Sequence, residues 1–431
     1  MNYNQALEYI HSTYQFGSKL GLGSIEQLLD LLGNPHKDLK VIHVAGTNGK
    51  GSTSSFMHNV LKTAGYKVGL YTSPYIEEFT ERIQINGKKI DKQRLADITL
   101  VVKEKIDEML SKGMDHPTEF EIGTAIAIVY FFEEKVDLLI LEVGMGGRLD
   151  ATNIVENPLL SVITPIGYDH IDILGNTLEK IASEKAGIIK DNGLVVSYPQ
   201  EEEGMVAIER VARDKNAQLF ITNYDSLTVQ SNTIKEQEFS VEVMGKTYKH
   251  LKISLAGKHQ IQNACTALTA LEVLKQYRNI EISDDAIYKG LYDTKWMGRF
   301  EVLKEDPLTI IDGAHNLQGA LALKNSIETL LKDYKITFIV GMLGDKDVKG
   351  VLKNIIPLVD KVIVTKVNNP RAMGVDDLAK ELVSFGKEIY ISKSVENAIE
   401  KAYDVTEASE AILVSGSLYM IGEARGIIMN K

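Results

Sequence analysis

Short β-branched runs alternate with amphipathic stretches along most of this 431-residue chain. In the first half the runs are VIHVAG, VGLYTS, LLILEVG, LSVITPIG and GLVVSYP. The stretches between them, of about 10–15 residues, have the periodicity and length of helices. Strands that alternate with helices in this way are typical of a parallel sheet with helical crossovers. The chain is therefore predicted to be an α/β protein.

Two changes in this pattern predict the domain organisation. From about residue 219 to 255 the chain contains segments such as EFSVEVMGKTYKHLKISL, which indicate antiparallel strands and no helix. A second α/β series follows WMGRFEVL and is long enough for one doubly wound domain. We predict a first domain over residues 1–295, with a mostly parallel sheet and a small antiparallel β appendage at 219–255. Residues 296–431 are predicted to form a Rossmann-like α/β domain.

Charge and composition restrict the partners. The net charge of −11 gives no overall basic field for nucleic acid or anionic lipid. The single cysteine, Cys265, excludes an intrachain disulfide and a multi-cysteine metal site. The N-terminus lacks the apolar core of a signal peptide, and the most apolar runs, TAIAIVYFF and VDLLILEVG, are too short to span a bilayer. We expect a cytoplasmic enzyme that acts on small molecules, without nucleic acid or membrane partners, and a monomer would suffice.

A glycine-rich loop, GTNGKGS, connects the strand VIHVAG to a helical pattern. It departs from G-x-x-x-x-G-K-[ST], because Val44 stands where the first glycine should be and Gly51 separates Lys50 from Ser52. The strand-to-helix context nevertheless suits a phosphate site, since small residues let backbone amides surround an anion at a helix N-terminus. Lys50 would reach the terminal phosphates, and Ser52 or Thr53 would reach Mg²⁺. A plain glycine-rich turn, the alternative, would require neither a lysine nor a hydroxyl pair.

The loop GTNGKGS resembles that of the Mur ligase superfamily, whose members make amide bonds with ATP. The glycine after the lysine is similar to the folylpolyglutamate synthase and dihydrofolate synthase branch. The other motifs of that branch follow in order: YTSPYIEEFTERIQING, LEVGMGGRLDATN, PIGYDHIDILGNTLEKIASEKAGIIK, GKHQIQN, MGRFE, IIDGAHN and VSGSLYMIGEAR. The resemblance spans residues 1 to about 425 and implies an N-terminal P-loop ATPase-like domain that uses ATP and Mg²⁺.

The resemblance also implies roles for individual residues. The nucleotide set comprises Thr47, Asn48, Gly49, Lys50, Gly51, Ser52, Asn263 at adenine, Arg299 at a phosphate and Asp312 at the ribose. The metal set comprises Ser52, Ser73, Glu142 and His170. The catalytic set comprises Lys50, Lys185 as a carbamate, His315 facing the reacting groups and Ser417 near the incoming glutamate. The substrate set comprises Arg82, Asp150 and Asn153.

The implied reaction is ATP-dependent addition of L-glutamate to a folate through an acyl phosphate. Residues for ATP come from both domains, which predicts a cleft that closes on the nucleotide. The motifs leave open whether the acceptor is dihydropteroate, a reduced folate or both, how many glutamates are added, and which base takes the proton of the glutamate amine.

Two alternatives are open, a different ligase of the same superfamily and a protein of a different class. A ligase for cell-wall precursors would usually carry a domain ahead of the phosphate loop, and here the loop begins at Gly46. A guanine-nucleotide switch would need [NT]-K-x-D, and the closest run, GDKD at Gly344, has glycine in the first position.

Overall fold

The computed structural model describes residues 1–13 and 21–430, which divide into two compact units. The first unit comprises Met1–Asp225, Glu242–Thr247 and Asn263–Asp293. The second comprises Ser226–Val241, Tyr248–Gln262 and Thr294–Lys431. The last division, after Asp293, lies close to the boundary predicted at residue 295.

The first unit is built on an eight-stranded sheet of order β4-β3-β2-β5-β1-β6-β7-β8. Its strands are β1 (Val41–Ala45), β2 (Val68–Tyr71), β3 (Ile83–Ile85), β4 (Lys88–Lys89), β5 (Leu138–Glu142), β6 (Leu160–Ile163), β7 (Leu194–Ser197) and β8 (Gln218–Ile221). The six strands from β2 to β8 in this order are parallel, whereas β3 and β4 form an antiparallel edge. The central strands β1 and β5 are buried along their whole length, as expected of parallel strands covered on both faces. The predicted mostly parallel sheet is confirmed.

Helices cover this sheet. They are α1 (Tyr3–Ser12), α2 (Gly23–Leu31), α3 (Lys50–Thr63), α4 (Lys92–Ser111), α5 (Glu119–Glu133), α6 (Ile171–Leu174), α7 (Leu178–Ala186), α8 (Glu202–Asp214), α9 (Lys258–Arg278) and α10 (Asp284–Tyr292). The run TAIAIVYFF lies in α5, which is buried on most of its surface and begins with a capping box between Thr118 and Glu121. Within the described ranges, no helix is both long and apolar enough to cross a membrane.

The segment predicted as a β appendage differs from expectation in two ways. Residues 219–221 belong to β8, which extends the large sheet parallel to β7 instead of forming an antiparallel strand. The three-stranded sheet that follows consists of β9 (Thr228–Asn232), β10 (Gln237–Val243) and β11 (Lys246–Ile253). Most of it groups with the second unit. Ile234, between β9 and β10, and Ala256, after β11, pack in the apolar core of that unit.

The second unit has a six-stranded sheet of order β12-β13-β17-β14-β15-β16, which is the predicted Rossmann-like α/β architecture. Its strands are β12 (Glu301–Glu305), β13 (Leu308–Asp312), β14 (Ile336–Val340), β15 (Lys361–Val364), β16 (Glu388–Ile391) and β17 (Ala411–Ser415). Its helices are α11 (Leu317–Leu330), α12 (Val348–Ile355), α13 (Val375–Leu382), α14 (Val395–Val405) and α15 (Leu418–Asn430). Only β12 runs antiparallel to its neighbour among these described strands.

Candidate active site

Four loops of the first unit carry or adjoin most of its predicted site residues, and they follow four neighbouring strands. Lys185 and Asn263 lie instead on helices α7 and α9. Strands β2, β5, β1 and β6 are parallel, so their carboxyl ends share one edge of the sheet. Glu142 is the last residue of β5 and pairs with Val44 of β1. The loops that leave this edge contain Ser73, Asp150, Gly49 and His170. Parallel sheets bind ligands outside the carboxyl ends of their strands, so this edge is the candidate site of the unit.

Two glycines shape the loop between β1 and α3. Gly46 has a φ of +154°, and a Cβ there would lie 1.8 Å from Oγ1 of Thr164. Gly49 has a φ of +80°, and its Cβ would lie 2.6 Å from Oδ1 of Asn263. Both positions therefore require glycine, since a side chain would clash as well as strain the backbone. The close approach also shows that Asn263, from the distant helix α9, lies against the loop.

The amino terminus of α3 fits a phosphate group. Gly49 occupies the cap position and supplies no side chain to the first amides of this 14-residue helix. The amides of Thr47 and Asn48 donate to the carbonyl of Pro165, at 2.8 and 3.2 Å, which holds the loop in place. The first amides of a helix lack acceptors within the helix and carry partial positive charge, so they bind anions.

Two lysines converge on the carbonyl of Gly46. Nζ of Lys50 donates to this oxygen at 3.2 Å and to the carbonyl of Thr47 at 3.3 Å. Nζ of Lys185 donates to the same oxygen of Gly46 at 2.8 Å. Lys185 is almost completely buried. Burial, and after it the charge of Lys50, lowers the pKa of Lys185 to about 7, so a large fraction of the amine is neutral at neutral pH.

The predicted metal ligands follow the same sheet edge. The carboxylate of Glu142 is buried at the end of β5. His170 caps α6 with a φ of +50°, and its Nε2 lies 3.9 Å from Oδ1 of Asp169. In the part of the chain that the structure describes, no group of three His, Cys, Asp or Glu side chains is placed to hold a metal ion. The carboxylate of Glu142 and the hydroxyls of Ser52 and Ser73 are oxygen ligands, which suit Mg²⁺ if phosphate and water oxygens complete its coordination. An imidazole is not an oxygen ligand, so the place of His170 in this set rests on the resemblance.

Asp150 holds the loop that follows β5. Its Oδ1 accepts hydrogen bonds from the amide of Thr152 at 3.0 Å and from the hydroxyl of Thr152 at 2.6 Å. Its Oδ2 accepts the amide of Met145 at 2.9 Å. Burial raises the pKa of Asp150, and these hydrogen bonds oppose that rise. The structure thus assigns Asp150 a role in loop shape, and its predicted contact with a folate stays a prediction.

Asn153 joins the same loop to the end of α7. Its Nδ2 donates to the carbonyls of Arg148 and Gly187, at 2.9 and 3.1 Å. A Cβ on Gly147 would lie 2.8 Å from the carbonyl oxygen of Lys185, so the loop packs directly on the backbone of α7. The loop therefore supports Lys185, a link that no motif in the sequence indicates. The predicted substrate contact of Asn153 is likewise untested by this geometry.

Arg82 lies buried among aromatic rings. Its guanidinium carbon is 5.5 Å from the ring centre of Tyr71, 5.2 Å from that of Phe79 and 5.4 Å from that of Phe120. Nη2 donates to the Tyr71 hydroxyl at 3.2 Å. The ring of Phe120 also lies where a Cβ of Gly144 would be, 2.4 Å away. Sequence reasoning missed Phe120, whose only signal is a single aromatic residue in the first turn of α5.

Arg299 and Asp312 are neighbours in the second unit. Asp312 ends β13, and its Oδ2 and Oδ1 accept the amides of Phe300 and Ala314 at 2.9 and 2.8 Å. Burial raises the pKa of Asp312, and the charge of Arg299 acts in the opposite direction. Nη1 of Arg299 donates to the carbonyl of Gly298 at 3.0 Å. Their predicted contacts with a phosphate and a ribose stay predictions.

His315 and Ser417 follow adjacent strands of that unit. Asp312 of β13 pairs with Ser415 of β17, so the chain after each strand leaves the sheet at the same edge. Nδ1 of His315 lies 2.8 Å from the carbonyl of Gly313, which can only accept, so this nitrogen carries a proton. The hydroxyl of Ser417 is buried and has no hydrogen-bond partner among residues 1–13 and 21–430. A buried hydroxyl without a hydrogen-bond partner in the protein is expected where a bound ligand supplies that partner.

Family models and the sequences of known proteins match this chain over most of its length. Residues 44–271 match the Mur ligase middle domain, and residues 298–418 match the Mur ligase glutamate ligase domain. A Bacillus subtilis dihydrofolate synthase/folylpolyglutamate synthase is 37% identical, with 98% of each chain covered. A Lacticaseibacillus casei folylpolyglutamate synthase is 32% identical over 100% of this chain and 99% of its own.

Solved structures agree with these matches. Escherichia coli FolC in complex with DHPP and ADP superposes with a TM-score of 0.89 at 30% identity, covering 99% of this chain and 98% of that one. Mycobacterium tuberculosis folylpolyglutamate synthase complexed with ADP also has a TM-score of 0.89, at 29% identity, and 99% of each chain is covered.

Proposed function

Since this chain belongs to the Mur ligase family, in its folylpolyglutamate synthase and dihydrofolate synthase branch, we propose that it joins L-glutamate to a folate at the expense of ATP. The observation that carries the proposal is the glycine-rich loop after β1. There α3 begins after Gly49 without a side-chain cap, and two lysines donate to the carbonyl of Gly46. This arrangement serves the transfer of a phosphoryl group, which requires positioning and charge neutralisation more than covalent chemistry.

The reaction has two bond-forming steps. A carboxylate oxygen of the acceptor takes the γ-phosphoryl group of ATP, and ADP leaves. The amine nitrogen of glutamate then attacks the carbonyl carbon of the acyl phosphate, phosphate leaves, and the amine loses a proton. We assign Lys50 and the first amides of α3 to the phosphates, because they supply positive charge where the transferred group carries negative charge. His315 is our candidate for the group that accepts the amine proton, and Ser417 for a contact with the incoming glutamate.

We assign magnesium to Ser52, Ser73, Glu142 and His170. When bound there, Mg²⁺ would neutralise charge on the phosphate oxygens. Each of these residues belongs to, or follows, a strand at the same sheet edge or the start of α3. The assignment of Arg299 and Asp312 to the nucleotide rests on the resemblance alone.

Lys185 is our candidate for a carbamate. A neutral amine can attack the carbon of CO₂, forming an N–C bond and releasing a proton, and a pKa near 7 supplies that neutral form. The product would carry a negative charge beside the loop in place of the positive charge of the lysine. Such a group would be suited to orienting a cation.

The choice of acceptor is decided by experiment. Purified protein with MgATP and L-glutamate is given dihydropteroate or tetrahydrofolate, and ADP release is followed together with mass spectrometry of the products. We expect each accepted substrate to gain glutamate with one ADP released per residue added. Activity with one acceptor defines a single function, and activity with both defines a bifunctional enzyme. No product from either, in protein that binds ADP, would contradict the proposed acceptor class, and a preference for GTP would favour a nucleotide switch.

The matched variants for this assay are Lys50→Ala and Lys62→Ala, both on α3. Lys62 is exposed on the last turn of the helix. We expect the first change to reduce kcat at least about a hundredfold, because it removes a charge at the transferred phosphoryl group, and the second to have little effect. Near-normal turnover by folded Lys50→Ala protein would remove the loop from the proposed site.

A further inference from the structure

We propose that His43 is a positioning residue for the acceptor side of the site. Through Thr152 it fixes the carboxylate of Asp150, and Asp150 in turn fixes the loop that follows β5. The inference rests on the proposed function for its kinetic test, whereas its hydrogen-bond chain can be tested without any substrate.

His43 lies in the middle of β1, three residues before Gly46, and its ring is completely buried. Its Nε2 lies 2.9 Å from Oγ1 of Thr152. Its Nδ1 has no hydrogen-bond partner in the described ranges. A buried nitrogen without a partner costs free energy, so an apolar residue would fill this place at lower cost if filling space were its only role.

The hydrogen bonds from His43 through Thr152 to Asp150 all have the same donor-to-acceptor direction. Oγ1 of Thr152 donates to Oδ1 of Asp150 at 2.6 Å, and the same carboxyl oxygen also accepts the amide of Thr152. The hydroxyl proton of Thr152 therefore points toward Asp150, and the oxygen of that hydroxyl is left to accept from His43. His43 must then carry its proton on Nε2. Burial lowers the pKa of His43 to about 3, so the ring is neutral and has one such proton.

Asp150 connects these hydrogen bonds to the backbone of the loop that follows β5. Its carboxylate accepts the amide of Met145 at 2.9 Å, and its own amide donates to the carbonyl of Gly147 at 3.1 Å. Gly147 packs in turn on the backbone carbonyls of Glu184 and Lys185. The chain from His43 thus connects the strand that carries the phosphate loop with the loop to which the acceptor contacts are assigned. Loss of the His43 donor should weaken acceptor binding more than ATP binding.

The first test measures the tautomer of His43. Nitrogen NMR of ¹⁵N-histidine-labelled protein, with His43→Gln used for assignment, distinguishes a ring protonated on Nε2 from one protonated on Nδ1. We expect the Nε2–H form at neutral pH in the free protein. The Nδ1–H form would reverse the donors along the chain and overturn the proposal. This result stands whether or not the protein is a folate ligase.

The second test separates KM from kcat. His43→Leu removes the donor, whereas His43→Gln places an amide donor near the position of Nε2. We expect His43→Leu to raise the KM for the folate acceptor about tenfold while the KM for ATP and kcat change less than about twofold. His43→Gln should restore most of the loss. Thr152→Val should raise the KM for the acceptor in the same way. Combined with His43→Leu it should add little to that rise, because both changes break the same series of hydrogen bonds.

His58 provides the matched control. It is a second buried histidine, on α3, whose pKa burial lowers to about 4 and whose Nε2 likewise lacks a partner among the described residues. His58→Leu should leave the KM for the acceptor unchanged. Equal KM values for His43→Leu and His43→Gln, or an equal rise in the KM for ATP, would overturn the proposal. If His43→Leu fails to fold, Thr152→Val compared with Thr152→Ser decides the same point. Absence of ligase activity in the wild type would count against the proposed function instead.

Discussion

Burial of the Lys185 side chain predicts a pH dependence of stability that belongs to this one residue. Its pKa is about 7 in the folded chain and takes the ordinary value of 10.5 when unfolded. Between these values the unfolded chain holds a proton that the folded chain lacks. The free energy of unfolding therefore rises with pH across this window, by at most about 1.4 kcal/mol per pH unit, and is insensitive to this group below pH 7. Urea unfolding in CO₂-free buffer should show the rise in the wild type and in Lys180→Met, an exposed control on α7, but not in Lys185→Met. A constant difference between wild type and Lys185→Met from pH 7 to 10 would contradict it.

At the scale of elements, the loop between β2 and β3 depends on one carboxylate. Glu81 accepts the amides of Ile76 at 2.8 Å, Glu78 at 3.1 Å and Glu77 at 3.2 Å. Its Oε1 also pairs with Nζ of Lys89 at 3.2 Å. Glu81→Ala would leave these amides without their acceptor, so we expect a loss of about 1–3 kcal/mol and faster hydrogen exchange over residues 76–78. Lys89→Ala removes the ion pairs of Lys89 with Glu81 and Glu78 but leaves the acceptor of the amides in place, so it should lose less than about 1 kcal/mol. Unchanged exchange in Glu81→Ala protein would show that the loop holds its shape by other contacts.

At the scale of the whole molecule, the resemblance assigns nucleotide contacts to residues of both compact units. A ligand at a hundredfold excess over its Kd stabilises what it binds by about 2.7 kcal/mol. Calorimetry with MgADP should therefore raise the unfolding temperature of both units, and Lys50→Ala should abolish the rise in both. Arg299→Ala should reduce it, whereas Arg213→Ala, a change in the last turn of α8, should not. If MgADP stabilises the first unit alone, then Arg299 and Asp312 do not contact the nucleotide.

The sequence by itself determined the class of the fold and the place of the glycine-rich loop between β1 and α3. Both depend on patterns that are local in the chain: apolar periodicity separates strands from helices, and a strand, a glycine-rich loop and a helix follow one another without interruption. The order of the motifs was also sufficient to indicate the family, which the comparisons confirm. Parallel strands further imply that the residues at their carboxyl ends, such as Glu142, lie at one edge.

Only the tertiary structure decided which distant side chains meet and what their chemistry becomes. Lys185 reaches Gly46, Asn263 lies against Gly49, and His43 bonds to Thr152 because strand order and loop packing bring them together. The spacing of residues along the chain does not encode that order. The grouping of residues 226–241 and 248–262 with the second unit is likewise visible only in the tertiary structure, where Ile234 and Ala256 contact the apolar core of that unit. The lowered pKa of Lys185 has the same origin, since a side chain loses its water only when the rest of the fold closes around it.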